Sequence, residues 1–94
     1  MYTRLFYATV QPEKNAEAWK VLDELLPRVR AHEGCMQVQV LEGGDDLVGI
    51  TGWESQETLA AYADGEVARE LFTRLTPLLM GAPTTHSYET KVTM

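Results

Sequence analysis

Apolar residues recur along this chain with two different periods, and the order of those periods restricts the fold more than any other feature. In "CMQVQVLE" (35–42), Met36, Val38 and Val40 alternate with Gln37 and Gln39, the pattern of a strand with one buried face. "EGGDD" then suits a hairpin, with glycine available for positive φ, and "LVGITGWE" is the returning strand. Its two glycines leave bare backbone that a neighbouring group can approach closely. Tyr2 to Gln11 also alternates, with Tyr2, Phe6, Ala8 and Val10 facing one way and Thr3, Leu5, Tyr7 and Thr9 the other. "TTHSYETKVT" (84–93) is the last strand and places His86, Tyr88 and Val92 on one face.

Between these strands the spacing is helical. Pro12 suits the start of a first helix, and Leu22, Leu25, Leu26 and Val29 form an apolar stripe with Trp19 one turn earlier. Pro27 removes the amide that would bond to Asp23, so a bend is expected there, with the helix resuming to about His32 and ended by Gly34. Ser55 is a good N-cap for the second helical stretch. Leu59, Tyr62 and Ala63 give it a short apolar face, "ADGE" interrupts, and Val67, Leu71 and Leu75 continue in steps of four until Pro77 and "GAP" end it.

The order is therefore strand, helix, strand, strand, helix, strand. Such a split βαβ order folds as an α+β protein, an antiparallel four-stranded sheet with both helices on one face. Two helices cannot cover the far face, yet apolar residues occur on both sides of the strands. A second copy of the chain is the simplest cover, so a homodimer is expected.

The totals agree with one domain spanning residues 1–94. A chain of this length buries only roughly 60–65% of its unfolded surface, and a partner subunit would help. A net charge of −6 with scattered basic residues argues against nucleic acid or an anionic membrane as partner. One cysteine, Cys35, excludes an internal disulfide and any multi-cysteine metal site, and reads as a small hydrophobe at a strand start. "MYTRLFYATV" carries no basic leader or long apolar run, so a cytoplasmic, unprocessed chain is expected.

The stretch "AHEGCMQVQVLEGGDDLVGITGWESQETLAAY" (31–62) resembles the antibiotic biosynthesis monooxygenase family. A glycine opens the second strand, and a hairpin, a strand, Trp-Glu-Ser and a helix follow. The resemblance implies a ferredoxin-like protomer that pairs sheet to sheet into a dimeric α+β barrel. It also implies oxygenation of phenols, anthrones or quinols by dioxygen without metal, flavin or haem. "PLLMGAP" (77–83) resembles the segment closing the second helix in the aromatic-polyketide branch, where the tryptophan of Trp-Glu-Ser and a helix arginine contact substrate. Trp53 matches the first, and Arg69 is nearest to the second. Gly49 stands where that branch has asparagine and Leu59 where it has tyrosine, with Tyr62 the nearest replacement. The haem-degrading branch fits worse. Thr9, Tyr62 and Phe72 stand at its asparagine, tryptophan and histidine, and no histidine lies between Thr51 and Thr85.

Each candidate also has an ordinary structural reading. Trp53 shares a strand face with Leu47, Gly49 and Thr51, and large aromatics in small domains mostly pack. His86 could act as a base because its ordinary pKa is about 6.5, or simply bond to a neighbour at the edge of the sheet. His32 reads as a partner of a helix C-terminus, and Arg69 and Arg74 as surface pairs of Glu66 and Glu70. Under the enzymatic reading, Trp53 and Tyr62 line a slot for a flat, apolar aromatic substrate, with Phe6, Leu71 and Phe72 packed behind. His86 or Tyr88 takes the proton, and Arg69 meets the anionic oxygen. No metal and no cofactor are expected. The alternative is a dimeric barrel that binds a small apolar ligand without catalysis.

Overall fold

The computed structural model describes residues 1–94. Four strands, β1 (Tyr2–Thr9), β2 (Cys35–Gly43), β3 (Asp46–Trp53) and β4 (Thr84–Glu89), form one antiparallel sheet in the order β2-β3-β1-β4. Helices α1 (Asn15–Arg30), α2 (Gln56–Ala63) and α3 (Glu66–Leu75) pack on one face of it. This is the ferredoxin-like arrangement expected from the alternating periods.

Register assigns the two faces. Tyr2, Arg4, Phe6 and Ala8 of β1 lie opposite Trp53, Thr51, Gly49 and Leu47 of β3, and this row set faces the helices. Thr3, Leu5 and Tyr7 lie opposite Gly52, Ile50 and Val48 on one side and Tyr88, His86 and Thr84 on the other, and this set faces away. The hairpin between β2 and β3 turns at Gly44, whose φ of 59° is open to glycine at little cost.

Burial follows the helical stripe. Ala18, Val21, Leu22, Leu25 and Val29 of α1 are buried, with Trp19 and Leu26 half-buried beside them. Trp19 is less a core residue than its position suggests, because its Nε1–H donates to Glu42 Oε2 at 2.9 Å and ties α1 to the hairpin. Asn15 donates to the same oxygen.

Several boundaries differ from expectation. A 3-10 turn, Pro12–Lys14, precedes the first α-helix, which ends at Arg30 rather than near His32. Pro27 sits in its last turn, where it forgoes the bond to the Asp23 carbonyl and the helix ends three residues later. The second stretch breaks at Asp64 and Gly65 into α2 and α3, as the "ADGE" interruption suggests, and a 3-10 turn (Thr76–Leu78) closes it. β4 ends at Glu89, opposite Tyr2 at the start of β1, and one further backbone bond, from the Thr90 amide to the Met1 carbonyl at 2.8 Å, closes the pairing. Val92 lies beyond the strand and is exposed, which corrects its expected place on the strand face with His86 and Tyr88.

Candidate functional site

A cavity of about 60 Å³ lies between the inner face of the sheet and the helices. Its walls are chiefly apolar: Phe6 from β1, Val38 and Val40 from β2, Leu22 and Leu26 from α1, Leu71 and Phe72 from α3. Gly49 forms part of its floor. A Cβ there would meet only the Cβ of Phe6, at 3.5 Å, and the Phe6 carbonyl, so the missing side chain is space given to the cavity. Phe72, 36% exposed, packs edge-on against Phe6 with ring centroids 5.7 Å apart and covers one side.

Three residues of the inner face bring polar side-chain atoms to the cavity, Arg4, Thr51 and Tyr62, whereas Gln39, opposite the outward-facing Ile50, turns its amide to the other side of the sheet. Tyr62 comes from α2, whose start is held by a reciprocal capping box. Ser55 Oγ accepts from the Thr58 amide, and Thr58 Oγ1 accepts from the Ser55 amide, each at 3.2 Å. Burial raises the pKa of the Tyr62 phenol despite the opposing pull of the Arg4 charge, so at neutral pH it is a neutral donor. Its hydroxyl has no hydrogen bond within the chain. No fully buried side-chain polar atom is unpartnered, so this hydroxyl keeps some open surface. Arg4 reaches over the Tyr62 ring, its Cζ 5.8 Å from the centroid.

Trp53 stands behind this wall rather than in it. It is fully buried among Val29, Cys35, Leu59, Tyr62 and Ala68, and it does not line the cavity. Its Nε1–H donates to Thr51 Oγ1 at 2.8 Å, leaving that donor no free capacity. The indole stacks on Tyr62 at 4.7 Å between centroids with planes 26° apart, and His32 closes edge-on against both rings. Trp53 is therefore a packed residue that fixes the orientation of Tyr62.

Of the other residues selected from sequence, Tyr62, Phe6, Leu71 and Phe72 do come together around the cavity. His86, Tyr88 and Arg69 do not join them. His86 and Tyr88 share one face, as alternation requires, and their rings stack at 6.4 Å. That face is the outer one, because His86 lies opposite Leu5 and Tyr88 opposite Thr3. The sheet separates them from the cavity of the same chain. Arg69 points into a shallow polar groove with Arg28, Glu66 and Glu70, and its guanidinium donates to the Asp64 carbonyl at 3.2 Å. Its place in the helix puts the backbone, not the side chain, toward the core.

Arg4 was missed, although its signal is present in the sequence. It falls in phase with Tyr2, Phe6 and Ala8, and a cation at an inward position of a strand is unusual enough to mark a site. Thr51 was noted only as small, and its bond to Trp53 depends on the strand's three-dimensional path. No group of three or more His, Cys, Asp or Glu side chains is placed to hold a metal ion. No helix is long and apolar enough to cross a membrane.

The fold and cavity define a ferredoxin-like α+β protein with a small apolar chamber under its sheet. Residues 1–74 match the antibiotic biosynthesis monooxygenase family, and the chain belongs to that family. Solved structures agree on the fold. A conserved protein from Methanosarcina mazei is 21% identical with a TM-score of 0.87, the match covering 97% of this chain and 94% of that one. A protein from Deinococcus radiodurans, named as a candidate antibiotic biosynthesis monooxygenase, is 14% identical with a TM-score of 0.89 over 100% and 96%. A Mycobacterium tuberculosis structure is 16% identical with a TM-score of 0.88 over 98% and 96%. No curated protein matches the chain in sequence.

Proposed function

We propose that the chain is a cofactor-independent monooxygenase for a phenolic, anthrone or quinol-type aromatic held between sheet and helices. The observation that carries this reading is the apolar cavity walled by Phe6, Leu71, Phe72 and Tyr62, with Gly49 as its floor, in a chain of this family. Such substrates, once deprotonated, are electron-rich enough to give an electron to dioxygen. For an anthrone, one oxygen atom is then inserted at the methylene carbon and the other leaves as water with the two methylene hydrogens. A dry chamber suits this chemistry because it shields the intermediate from side reactions.

The cavity is much smaller than the roughly 300–1,000 Å³ of ordinary ligand pockets. A fused-ring substrate therefore needs an opening motion, and Phe72, already partly exposed, is the side chain placed to swing. A homodimer paired through the outer sheet face completes the proposal. Leu41, Tyr7 and Tyr88 are 51%, 40% and 55% exposed there, and covering them would stiffen the floor of the cavity.

The second reading, apolar ligand binding without catalysis, draws on one feature. No histidine, aspartate or glutamate lines the cavity, so no side chain there titrates near neutrality as a base. Oxygen uptake with dithranol and menadiol, compared with autoxidation and with an anaerobic control, separates the two. Enzyme-dependent product is expected. Saturable binding with no product above autoxidation would leave the binding-only reading standing.

A further inference from the structure

We propose that Arg4 is the residue that receives the oxygen of a phenolic ligand in this cavity and holds it as the phenolate. The inference rests on the reading of the cavity as a ligand site, but not on whether oxygenation follows.

The bonding of the five arginines points to it. Arg28 and Arg74 pair with Glu70, and Arg74 also pairs with Glu24. Arg30 donates to the Cys35 carbonyl and Arg69 to the Asp64 carbonyl. The Arg4 guanidinium alone makes no hydrogen bond or ion pair within the chain, and its contact is the face of the Tyr62 ring. A guanidinium keeps its charge at any physiological pH and offers five N–H donors in a planar fork. Here those donors lie at an apolar cavity with no acidic neighbour. The strand partners of Arg4 are Thr51 and Ser87, and neither can balance the charge.

The ionisable groups lining the cavity are Arg4 from β1 and Tyr62 from α2; α1, α3, β2 and β3 contribute none. A bound phenol therefore finds one positive charge and no negative one, in surroundings that weaken screening. Burial opposes ionisation here, as it does for Tyr62, whose ring lies under Arg4 but whose hydroxyl makes no hydrogen bond to it. A ligand oxygen that meets the guanidinium fork directly gains the charge-assisted hydrogen bonds that Tyr62 lacks, and these tip ArOH to ArO⁻ plus H⁺ toward the anion, the proton passing to solvent. Tyr62, protonated and with its hydroxyl unpaired, can donate to the same oxygen. Deprotonation is the step that needs help before electron transfer to dioxygen, and a lone cation supplies it where no base is present. This accounts for a working site without His86, Tyr88 or Arg69 in it.

The test is an absorbance titration of 4-nitrophenol bound to the protein, since phenol and phenolate differ in colour. Wild type is expected to lower the apparent pKa of the bound phenol by about one unit or more, the scale for an opposite charge in close contact. Arg4→Met is expected to abolish the shift and Arg4→Lys to retain part of it, while Arg69→Met leaves it intact. Circular dichroism and thermal melts check that each variant folds, and Arg4→Lys carries the comparison if the methionine variant does not. Binding with an unshifted pKa, or an equal shift in the Arg4 variants, would overturn the inference while sparing the cavity. Absence of saturable binding in wild type would overturn both. A shift without oxygenase turnover would support Arg4 and sink only the catalytic reading.

Discussion

Trp53 and Gly49 illustrate how differently neighbouring positions on one strand face contribute. Trp53 has no exposed surface, fills the space between Val29 and Leu59, and saturates its donor on Thr51. Trp53→Ala is expected to destabilise the fold by about 3–5 kcal/mol, read as a shift in the urea midpoint. Trp53→Phe keeps the ring packing and should lose less. Gly49 contributes by absence. Its backbone is not in the positive-φ region, so alanine is conformationally acceptable there, and the added methyl enters the cavity. Gly49→Ala is expected to leave the melting temperature unchanged or slightly raised and to weaken phenol binding roughly tenfold, the effect of one methyl group in a tight pocket. Isothermal titration of wild type and variant decides it. Both residues were selected from sequence as neighbours of a possible slot. What could not be read there was which would be wall and which would be void, because that depends on how α2 lays Tyr62 over the indole.

Among the elements, the turn after α1 and the hairpin carry constraints that local sequence only half reveals. Gly34 adopts a φ of 83°, and a Cβ there would run into the side chain of Thr58 at the start of α2. The glycine was legible as a helix stop; its second duty, allowing α2 to approach, was not. The hairpin is tied to α1 through Glu42, whose carboxyl is held below the usual range first by the Trp19 indole N–H and then by Asn15. The folded pKa is depressed, so the unfolded chain takes up the proton first as pH falls. The contribution is therefore present above the unfolded carboxylate pKa and is lost on acidification. Urea midpoints measured from neutral to acidic pH are expected to fall through the carboxylate range, and less steeply in Glu42→Gln. Glu24 is lowered by Arg74 in the same direction, so the slope should flatten without vanishing.

For the whole molecule, the decisive feature is a sheet with helices on one side and apolar side chains on both. Leu5, Ile50, Val48 and Tyr7 form the middle of the uncovered face, with Leu41 on one flank and His86 and Tyr88 on the other. If a second copy covers that face, Ile50→Lys places a charge at its centre and should convert a dimer to a folded monomer in sedimentation velocity, with helical content retained. A wild-type monomer at working concentrations would count against the dimer. In a dimer the stacked pair of His86 and Tyr88 would lie near the contact between copies, a different environment from the cavity first assigned to them.

The sequence by itself determined the order of elements, the two faces of β1 and β3, the break between α2 and α3, and the family, because these depend on period and local chemistry. It misplaced the start of β2, where a register shift between Cys35 and Gln37 buries Cys35 and leaves Met36, expected on the buried face, 53% exposed. Only the tertiary structure decided that Trp53 supports rather than lines the cavity, that Arg69 turns outward, and that Arg4 stands unpaired beside Tyr62. Alternation tells which residues share a face. It does not tell which face the helices choose to cover, and that choice, made by the summed burial of α1, α2 and α3 on the sheet, put one set of polar groups at the cavity and the other on the far side.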